Sequence, residues 1–243
     1  MPQTAVETWA IIPARGGSKR LRRKNLLPFD GRPLVGRAVA TALASGCFAR
    51  VLVSTDDEEI AGAAIQAGGE VPFMRPAVLS GDTASSVDVL LHAVTALGGK
   101  DSAPATIALI QATSPLLTCE HVRAALKLFS DSGFVSLSSM KEVNQYPEWM
   151  FRVEEKSGRA MPESPGGIVA AASSLPRRYI ENGAIYLVQT AWLLAEKSLY
   201  NFSRHGCYVM SGADSIDIDT EEDFAQAQFE LARRCQSDQK NSI

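Results

Sequence analysis

The sequence predicts an α/β fold with an open, doubly wound and mostly parallel sheet. Short apolar runs alternate with segments whose apolar residues recur at helical spacing, from Trp9 to Arg234. This strand–helix–strand order favours parallel strands joined by right-handed crossovers. The chain has 243 residues, 46% of them hydrophobic and 21% charged, so it can bury a large core without disulfides or structural metals.

Elements in the first part of the chain follow from periodicity and from cap signals. The helix at 57–67 has an acidic first turn, which suits the helix dipole, and Gly68 and Gly69 end it. Thr118 suits the N-cap of a later helix. Buried strands are predicted at 9–13, 50–55, 71–74, 106–111 and 134–138. Helices are predicted at 33–45, 57–67, 85–97 and 118–129.

The alternation breaks between Met140 and Arg178. The stretch WMFRVEEKSGRAM favours a hairpin that turns near Ser157 and Gly158, and PESPGG and SSLP follow it. We interpret this insertion, about residues 140–178, as a lid or a dimer arm within a single domain of residues 1–243. Strands then return at 183–188 and 207–210, and helices at 191–197 and 221–234.

Composition argues against several classes of protein. The formal net charge is −3, so nothing indicates a general attraction to nucleic acid or to membranes. No apolar run has the length of a transmembrane helix, and MPQTAVETW lacks the features of a signal peptide, so a cytoplasmic protein is expected. The cysteines are scattered without a C-x-x-C pair, which is typical of reduced thiols. They are Cys47, Cys119, Cys207 and Cys235.

A basic loop follows the first strand. The stretch PARGGSKRLRRKN, residues 13–25, holds six Lys or Arg residues. Gly16 and Gly17 allow the chain to curl and to expose N–H groups to an anion, and the cations suit a polyphosphate. The loop matches neither G-x-x-x-x-G-K-[ST] nor G-x-G-x-x-G. A solvated basic loop without a ligand is the alternative.

A carboxylate pair lies far along the chain in SIDIDTEEDF. In an extended segment Asp217 and Asp219 point to one side, while Ile216 and Ile218 point into the core. Two carboxylates on one edge suit Mg²⁺, which is commonly held by one or two carboxylates and substrate phosphates. The alternative is a helix start with a capping box at Thr220, which does not explain the two aspartates.

Three further stretches place polar groups near the ligand edge of the predicted sheet. In QATSPL, Gln111 ends a buried strand, although a hydroxyl-rich turn before Pro115 explains the same residues. In ENGAIY, Asn182 and Gly183 form either a hairpin turn or part of a ligand site with Tyr186. In RPAVLSGDTASS, Arg75 is the one charge beside an apolar stretch, and Thr83 or Ser85 caps the next helix.

A polyphosphate loop and a carboxylate pair on one edge of an α/β sheet are what nucleotidyl transfer needs. Cationic side chains and Mg²⁺ stabilise the charge that develops on departing pyrophosphate, and the protein mainly positions the reactants.

These motifs, in this order, resemble the acylneuraminate cytidylyltransferase family, the CMP-sialic acid and CMP-nonulosonate synthetases. The match runs from IIPARGGSKRLRRKN through VSTDDEEIA, EVPFMRPAVLSGDTASS and LIQATSPL to YIENGAIY and SIDIDTEEDF. The resemblance implies a Rossmann-like nucleotidyltransferase that uses Mg²⁺. It implies that the anomeric hydroxyl of a nine-carbon keto acid attacks the α-phosphorus of CTP, and that pyrophosphate leaves. It also implies a homodimer whose arm reaches the partner's site.

Carried over by position, the resemblance assigns roles to individual residues. The predicted catalytic residues are Arg15, Lys24 and Asp219. The predicted nucleotide-binding residues are Arg15, Gly16, Gly17, Ser18, Lys24, Asn25, Arg75 and Ser86. The predicted acceptor-binding residues are Gln111, Thr113, Ser114, Asn182 and Tyr186. The predicted metal ligands are Asp217 and Asp219.

The chain departs from the family pattern mainly in its acceptor half. Many relatives have Pro where Arg22 stands, and a Lys that contacts the sugar in some bacterial members is replaced near Trp149. An aromatic pair donated by the partner aligns only roughly with residues 199–202. An N-acylneuraminate is the first expected acceptor, with legionaminate or another nonulosonate as alternatives.

Two other functions stay open at this point. A related cytidylyltransferase for the eight-carbon acid Kdo shares the basic first loop, but ENGAIY and SIDIDTEED argue against it. A non-catalytic nucleotide-binding domain would keep the fold, but the presence of Lys24 with both Asp217 and Asp219 argues for catalysis.

Overall fold

A computed structural model, which describes residues 7–164 and 171–241, contains a six-stranded sheet flanked by helices. Three short 3-10 helices lie near the candidate ligand site or in the inserted segment. They are Lys24–Leu26, Ala77–Leu79 and Pro147–Trp149. The strands, in chain order, are β1 Thr8–Pro13, β2 Pro28–Phe29, β3 Arg32–Pro33, β4 Arg50–Ser54, β5 Thr106–Ile110, β6 Ser136–Val143, β7 Phe151–Val153, β8 Ala160–Pro162, β9 Arg178–Gln189 and β10 His205–Met210. The helices are α1 Leu34–Ser45, α2 Glu58–Gln66, α3 Ser86–Ala96, α4 Cys119–Ser132, α5 Thr190–Glu196 and α6 Glu221–Asn241.

The central sheet has the order β10-β6-β9-β5-β1-β4. All its strands run parallel except β9, which is antiparallel to both of its neighbours. The predicted doubly wound, mostly parallel sheet is therefore confirmed.

Successive side chains of the buried strands pack alternately into two apolar cores, one on each face of the sheet. In β1, Trp9 and Ile11 point to one face of the sheet, and Ala10 and Ile12 to the other. One face is covered by α1, α2 and α4, and the opposite face by α3 and α5. A third apolar cluster joins α6 to Phe29 and the residues around it. Because these strands are buried on both faces, they read as continuous apolar runs in the sequence.

The order of the strands creates a crevice beside β1. From β1 the chain passes through α1 to β4 on one side, and later through α3 on the opposite face to β5 on the other side. The loops that follow β1 and β5 therefore diverge at the carboxyl edge of the sheet. Such a switch point is where open α/β sheets bind ligands.

Several element predictions need correction. The strand at 71–74 is wrong, because only the isolated bridges Leu52–Glu70 and Thr55–Met74 form there. The hairpin of β2 and β3 was not predicted, and β6 and β9 extend beyond the expected strands. These extensions pair with each other over residues 140–143 and 178–181 and support the inserted segment. The hairpin expected in that segment is confirmed as β7 and β8, while residues 165–170 lie outside the described part.

In the part of the chain that the structure describes, no helix combines the length and the apolar character needed to cross a membrane.

Candidate active site

A cleft of about 260 Å³ opens at the switch point between β1 and β5. Its walls come from four segments at the carboxyl edge of the sheet: the basic loop after β1, residues 75–89, the turn after β5, and the segment before α6. The residues predicted as ligand contacts that line it are Arg15, Ser18, Lys24, Asn25, Arg75, Ser86, Gln111, Thr113 and Asp219.

The basic loop is held in a defined shape by its own polar and apolar residues. The buried amide of Asn25 donates to the Arg15 carbonyl at 3.0 Å and so closes the loop on itself. Leu21 is buried in the apolar cluster under α6, which anchors the middle of the loop. Arg23 adopts a left-handed backbone with φ of 53°, and the short 3-10 helix that starts at Lys24 follows it. Lys24 is thereby turned inward and keeps only 13% of its side chain exposed.

Carboxylates from two distant segments pair with the cations of the loop. Asp219 accepts from Lys24 Nζ at 2.8 Å and from an Arg20 guanidinium nitrogen at 2.7 Å. Asp82 lies 3.0 Å from the Arg15 guanidinium and 2.5 Å from Lys19 Nζ. The hydrogen bond and the charge of Lys19 lower the pKa of Asp82. Four cations of the loop, Arg15, Lys19, Arg20 and Lys24, are therefore paired with protein carboxylates.

The other two cations of the loop differ from these four. Arg23 pairs with Glu59 at 3.1 Å and with Asp57 at 3.5 Å, outside the cleft lining. No ion pair joins Arg22 to the residues that the structure describes, and its side chain is exposed. Arg22 is therefore a solvated cation.

Close packing, rather than a curled backbone, explains why position 16 is occupied by glycine. A Cβ atom at this position would lie 2.6 Å from Asp57 Oδ2, so any side chain would displace the start of α2. The Gly16 N–H donates to the Asp56 carboxylate at 3.0 Å. The expectation that Gly16 offers a free N–H to an anion is therefore wrong for this arrangement. Gly17 is exposed, with open space where a Cβ would be.

Arg75 is a buried cation with unused hydrogen-bond donors. Its residue is only 6% exposed, and burial lowers the pKa of the guanidinium, an effect that the charge of Asp56 opposes. One guanidinium nitrogen lies 3.7 Å from Asp56, too far for a regular hydrogen bond. Its Nε and Nη2 atoms are buried and have no hydrogen-bond partner within the described residues. The residue is part of the cleft lining, while these two unpartnered donors themselves have almost no contact with solvent.

Burial alternates along the carboxylate segment as predicted: Ile216 and Ile218 are buried, and Asp217 and Asp219 keep solvent access. The Ile218 N–H donates to the Thr113 carbonyl at 2.8 Å, which ties the segment to the turn after β5. The residue Asp217 keeps solvent access, but many protein atoms surround its carboxylate. This partial desolvation raises the pKa of the carboxylate. The charge of Asp219 raises it further, while a hydrogen bond from the Thr113 side chain opposes the shift.

A capping box closes the same segment at the start of α6. Asp223 accepts from the Thr220 N–H at 2.8 Å, and the Thr220 hydroxyl accepts from the Asp223 N–H at 3.2 Å. Asp223 also accepts from the Asp219 N–H at 3.0 Å. The helix-start interpretation is therefore confirmed for Thr220 and Asp223. It leaves Asp217 and Asp219 unexplained, and their role as metal ligands stays a prediction.

Five predicted residues besides Gly16 do not line the cleft: Gly17, Ser114, Asn182, Tyr186 and Asp217. Ser114 is buried, and its hydroxyl has no partner within the described chain. The Tyr186 hydroxyl donates to Glu181 at 3.4 Å, and the Tyr200 hydroxyl donates to the same carboxylate at 2.9 Å. Burial raises the pKa of Tyr186, and the charges of Glu181 and Asp217 add to the shift. The charge of Asp217 therefore reaches Tyr186, although this side chain does not line the cleft.

Three functional candidates were missed by sequence reasoning: Asp56, Asp82 and Glu181. Each is an acidic residue inside a stretch that was already noted, namely STDDEE, LSGDTASS and ENGAIY. Their partners are Gly16 and Arg75, Arg15 and Lys19, and the two tyrosines. For Asp82, which lies between Arg75 and Ser86, and for Glu181, which directly precedes Asn182, an acid beside predicted contact residues was the available signal. Asp56 stands in a run of four acids and gave no such signal.

Several known proteins have sequences similar to that of this chain. A family model described as cytidylyltransferase matches residues 9–155. The CMP-N,N'-diacetyllegionaminic acid synthase of Legionella pneumophila is 32% identical over 216 residues, which cover 89% of this chain and 92% of that protein. The chain belongs to the cytidylyltransferase family. The pseudaminic acid cytidylyltransferase of Campylobacter jejuni is 33% identical over 221 residues, covering 90% of this chain and 94% of that protein.

A solved structure supports the fold of this cytidylyltransferase. It is a CMP:2-keto-3-deoxy-manno-octonic acid synthetase complexed with CTP, with a TM-score of 0.69 and 20% sequence identity. The alignment covers 94% of this chain and 99% of that structure. The Rossmann-like α/β fold is confirmed, and the chain is an enzyme of the nucleotidyltransferase type.

Proposed function

We propose that this cytidylyltransferase transfers CMP from CTP to the anomeric hydroxyl of a nine-carbon keto acid, either an N-acylneuraminate or a related nonulosonate. The observation that carries the proposal is Arg75, whose buried donors lack partners in the described chain and which lines the same cleft as Lys24. A buried donor without a partner costs about 1–3 kcal/mol. A pyrimidine carbonyl or ring nitrogen would relieve that cost, and the cations nearby would hold its phosphates.

In this proposal the two ends of the nucleotide use different parts of the cleft. Arg75, Asn25 and Ser86 contact the cytidine side. Arg15 and Lys24 bind the triphosphate, for which forked guanidinium donors and a compact ammonium charge are suited. Gly17 provides a backbone N–H group in the same loop, whereas the Ser18 N–H already donates to the Gly16 carbonyl at 3.0 Å, so Ser18 would contribute its hydroxyl.

Asp217 and Asp219 would hold Mg²⁺. No group of three or more His, Cys, Asp or Glu side chains within residues 7–164 and 171–241 forms a metal site by itself. A pair of carboxylates completed by substrate phosphates is the usual arrangement for Mg²⁺. The repulsion between the two carboxylates, which raises the pKa of Asp217, would be removed by a divalent cation. Bound there, Mg²⁺ would stabilise the charge on the departing pyrophosphate.

The residues of the cleft act mainly by orienting the reactants. A bond forms between the anomeric oxygen and the α-phosphorus, and the bond from that phosphorus to the bridging oxygen of the β-phosphate breaks. The hydroxyl proton is lost to solvent, and pyrophosphate leaves with the electron pair. Arg15 and Lys24 keep the triphosphate in line with the acceptor and offset the charge that develops on it.

The acceptor would lie on the side of Gln111, Thr113 and Tyr186. The first two residues line the cleft, and the charge of Asp217 reaches Tyr186. The names of the two bacterial relatives specify legionaminic and pseudaminic acids, which supports a nonulosonate as the acceptor class.

Pyrophosphate release tests the reaction directly. The enzyme is incubated with Mg²⁺, each of the four nucleoside triphosphates, and a panel of N-acetylneuraminate, legionaminate, pseudaminate and Kdo. We expect release with CTP and at least one nine-carbon acid, with the CMP-sugar identified by mass spectrometry. Release with Kdo alone would assign the eight-carbon alternative. No release with any acid, while CTP binds, would favour a non-catalytic nucleotide-binding domain.

We also propose that the chain is one domain that forms a homodimer through the inserted segment. Exposed apolar side chains occur on and next to the β7–β8 hairpin, on β9 and β10, and in the loop before β10, and we call these residues the arm surface. Its members are Met150, Phe151, Val153, Met161, Tyr179, Ile180, Phe202 and Val209. A second copy of the chain would cover this apolar area. The four cysteine thiols are unpaired, which fits a reducing compartment such as the cytoplasm.

The oligomeric state tests the arm surface. Sedimentation should give a dimer for the wild type and a shift to monomer for Phe151→Asp. Ile65→Asp is the matched control, because Ile65 is 59% exposed on α2, next to the opposite edge strand of the sheet. A wild-type monomer at all concentrations, or equal effects of both variants, would contradict the dimer.

A further inference from the structure

Asn182, the predicted acceptor contact, has no polar atom free for a ligand. Its residue is 5% exposed. Its Oδ1 accepts from the Ser139 hydroxyl at 2.6 Å and from the Ala184 N–H at 3.2 Å. Its Nδ2 donates to the Ser215 hydroxyl at 2.8 Å and to the Met210 sulfur at 3.3 Å. A carboxamide has two donor hydrogens and two acceptor lone pairs, so its capacity is filled from inside the protein.

The partners of Asn182 belong to a connected network. Ser139 is fully buried on β6, and its hydroxyl accepts from the Ile185 N–H on β9 at 2.9 Å. Ser215 is 2% exposed, and its hydroxyl donates to the Ser211 carbonyl at 2.6 Å. The amide of Asn182 thus joins β6 and β9 to the segment that follows β10. Buried networks in which every member is satisfied fix one arrangement of the chain.

This network ends beside the carboxylate pair. Ser215 stands two residues before Asp217 and four before Asp219. Gly183, the neighbour of Asn182, has a left-handed backbone with φ of 78°, and a Cβ there would lie 3.8 Å from Asp217 Oδ2. The Asp217 carboxylate therefore lies directly against the backbone of β9. On its other side the segment is tied down by the bond from the Ile218 N–H to the β5 turn.

We propose that Asn182 is a positioning residue for Asp217 and Asp219, and that it does not contact the acceptor. Through Ser215 it holds the carboxylate segment against β9. The distance between the carboxylate pair and the basic loop is therefore fixed by contacts on the side of the segment that faces β9. The proposal rests on the proposed function, because it assumes that the pair binds a metal with CTP. It separates Asn182 from Gln111 and Thr113, which line the cleft and remain the acceptor contacts.

The consequence is a specific pattern of losses. Removing a partner that orients a metal ligand typically costs 10–100-fold in metal affinity. We therefore expect Asn182→Ala and Ser215→Ala each to weaken Mn²⁺ binding to the CTP complex about tenfold. The double variant should lose little more than either single variant, because both remove the same link. CTP binding without metal, and the KM of the acceptor at saturating metal, should change less than about twofold.

The measurement uses the full chain, with free Mn²⁺ followed by electron paramagnetic resonance and CTP binding by calorimetry in chelator. Ser45→Ala is the matched control, since Ser45 is also buried and donates to a carbonyl, that of Ala42, at 2.6 Å but at the end of α1 away from the cleft. It should bind Mn²⁺ like the wild type. Thermal unfolding identifies any variant that fails to fold, and Ser215→Ala alone then decides the question.

The outcomes separate this proposal from the reaction itself. Unchanged Mn²⁺ binding in both variants would overturn it. So would a raised acceptor KM in Asn182→Ala that Ser215→Ala does not share, since that pattern belongs to a residue that touches the acceptor. A wild type that fails to bind CTP would instead contradict the proposed function.

Discussion

The Lys24 ammonium group lies 2.8 Å from one carboxylate oxygen of Asp219, which a separation of 195 residues in the chain does not suggest. Arg20 bonds to the other oxygen of the same carboxylate. The proposed phosphate ligand and the proposed metal ligand are therefore partners of each other. A triphosphate would take over the cations and release Asp219 for the metal.

Lys24→Met should weaken CTP binding. It removes an inward-facing charge from the cleft, and a hydrogen bond to a charged group contributes about 1.5–3 kcal/mol, so a loss of tenfold or more in affinity is expected. Calorimetry with CTP measures the change. Arg22→Met is the control, because Arg22 is exposed and has no ion pair within the described residues. Equal losses in both variants would mean that only the total charge of the loop matters.

Asp219→Asn should have opposite effects on two ligands. Without the carboxylate, Lys24 and Arg20 lose their counter-ion, so CTP should bind in chelator at least as tightly as in the wild type. Mg²⁺-dependent turnover should be abolished because a metal ligand is missing. Asp131→Asn, in which a surface partner of Lys127 is lost, controls for net charge. Weaker metal-free CTP binding in Asp219→Asn would contradict the exchange of partners.

Asp82→Asn tests the second acidic partner of the loop. Asp82 pairs with both Arg15 and Lys19 in the free protein, and a triphosphate must compete with it. The variant should bind CTP more tightly at low ionic strength, and the difference should shrink as salt screens the charges. A salt titration of CTP affinity provides the test. If affinity falls instead, Asp82 supports the bound state.

Protein stability should decrease as the pH falls from 7 to 5. Burial lowers the pKa of both His121 and His205 below the ordinary value of 6.5. Asp214 and Glu120 near His121, and Glu181 near His205, only partly oppose this shift. Below pH 6.5 the unfolded chain therefore takes up protons that the folded chain does not, which favours unfolding.

Each unit of pKa difference corresponds to about 1.4 kcal/mol. Urea unfolding at several pH values measures the slope, and replacing both histidines by Gln should flatten it. The histidines have structural roles that explain the cost of protonation. His121 Nδ1 accepts from the Thr118 N–H in a capping box, and His205 lies between the hydroxyls of Ser136 and Ser138. A slope that survives both substitutions would assign the effect to other groups.

The sheet could be predicted because its strands are buried on both faces and stand out as apolar runs. The strand expected at 71–74 was wrong because these residues have no continuous pairing with a neighbouring strand. Among its residues only Met74 makes a bridge, to Thr55 just after β4, and Glu70 before it bridges to Leu52. A local pattern does not reveal whether a partner strand is in register.

The cleft was predicted in part, because the carboxyl ends of parallel strands meet at one edge whatever the details of the loops. The partners within it could not be predicted. Whether Asn182 faces a ligand or the interior depends on the irregular register between β6 and β9, and the positive φ of Gly183 lies at the same place. Only the three-dimensional structure distinguishes that bulge from the hairpin turn that Asn-Gly suggests.

The pairing of Lys24 with Asp219 also has a consequence for how the chain folds. Contacts between residues so far apart in sequence form late, because the entropy of closing a long loop is lost before the contact is gained. The strands β1, β4 and β5 are neighbours in the sheet and come from segments that are closer together in the sequence. The cleft, in contrast, is complete only when α6 has packed against the apolar cluster beneath the carboxylate segment. During refolding, recovery of CTP binding should therefore lag behind recovery of secondary structure, and nucleotide affinity reports on completion of the fold.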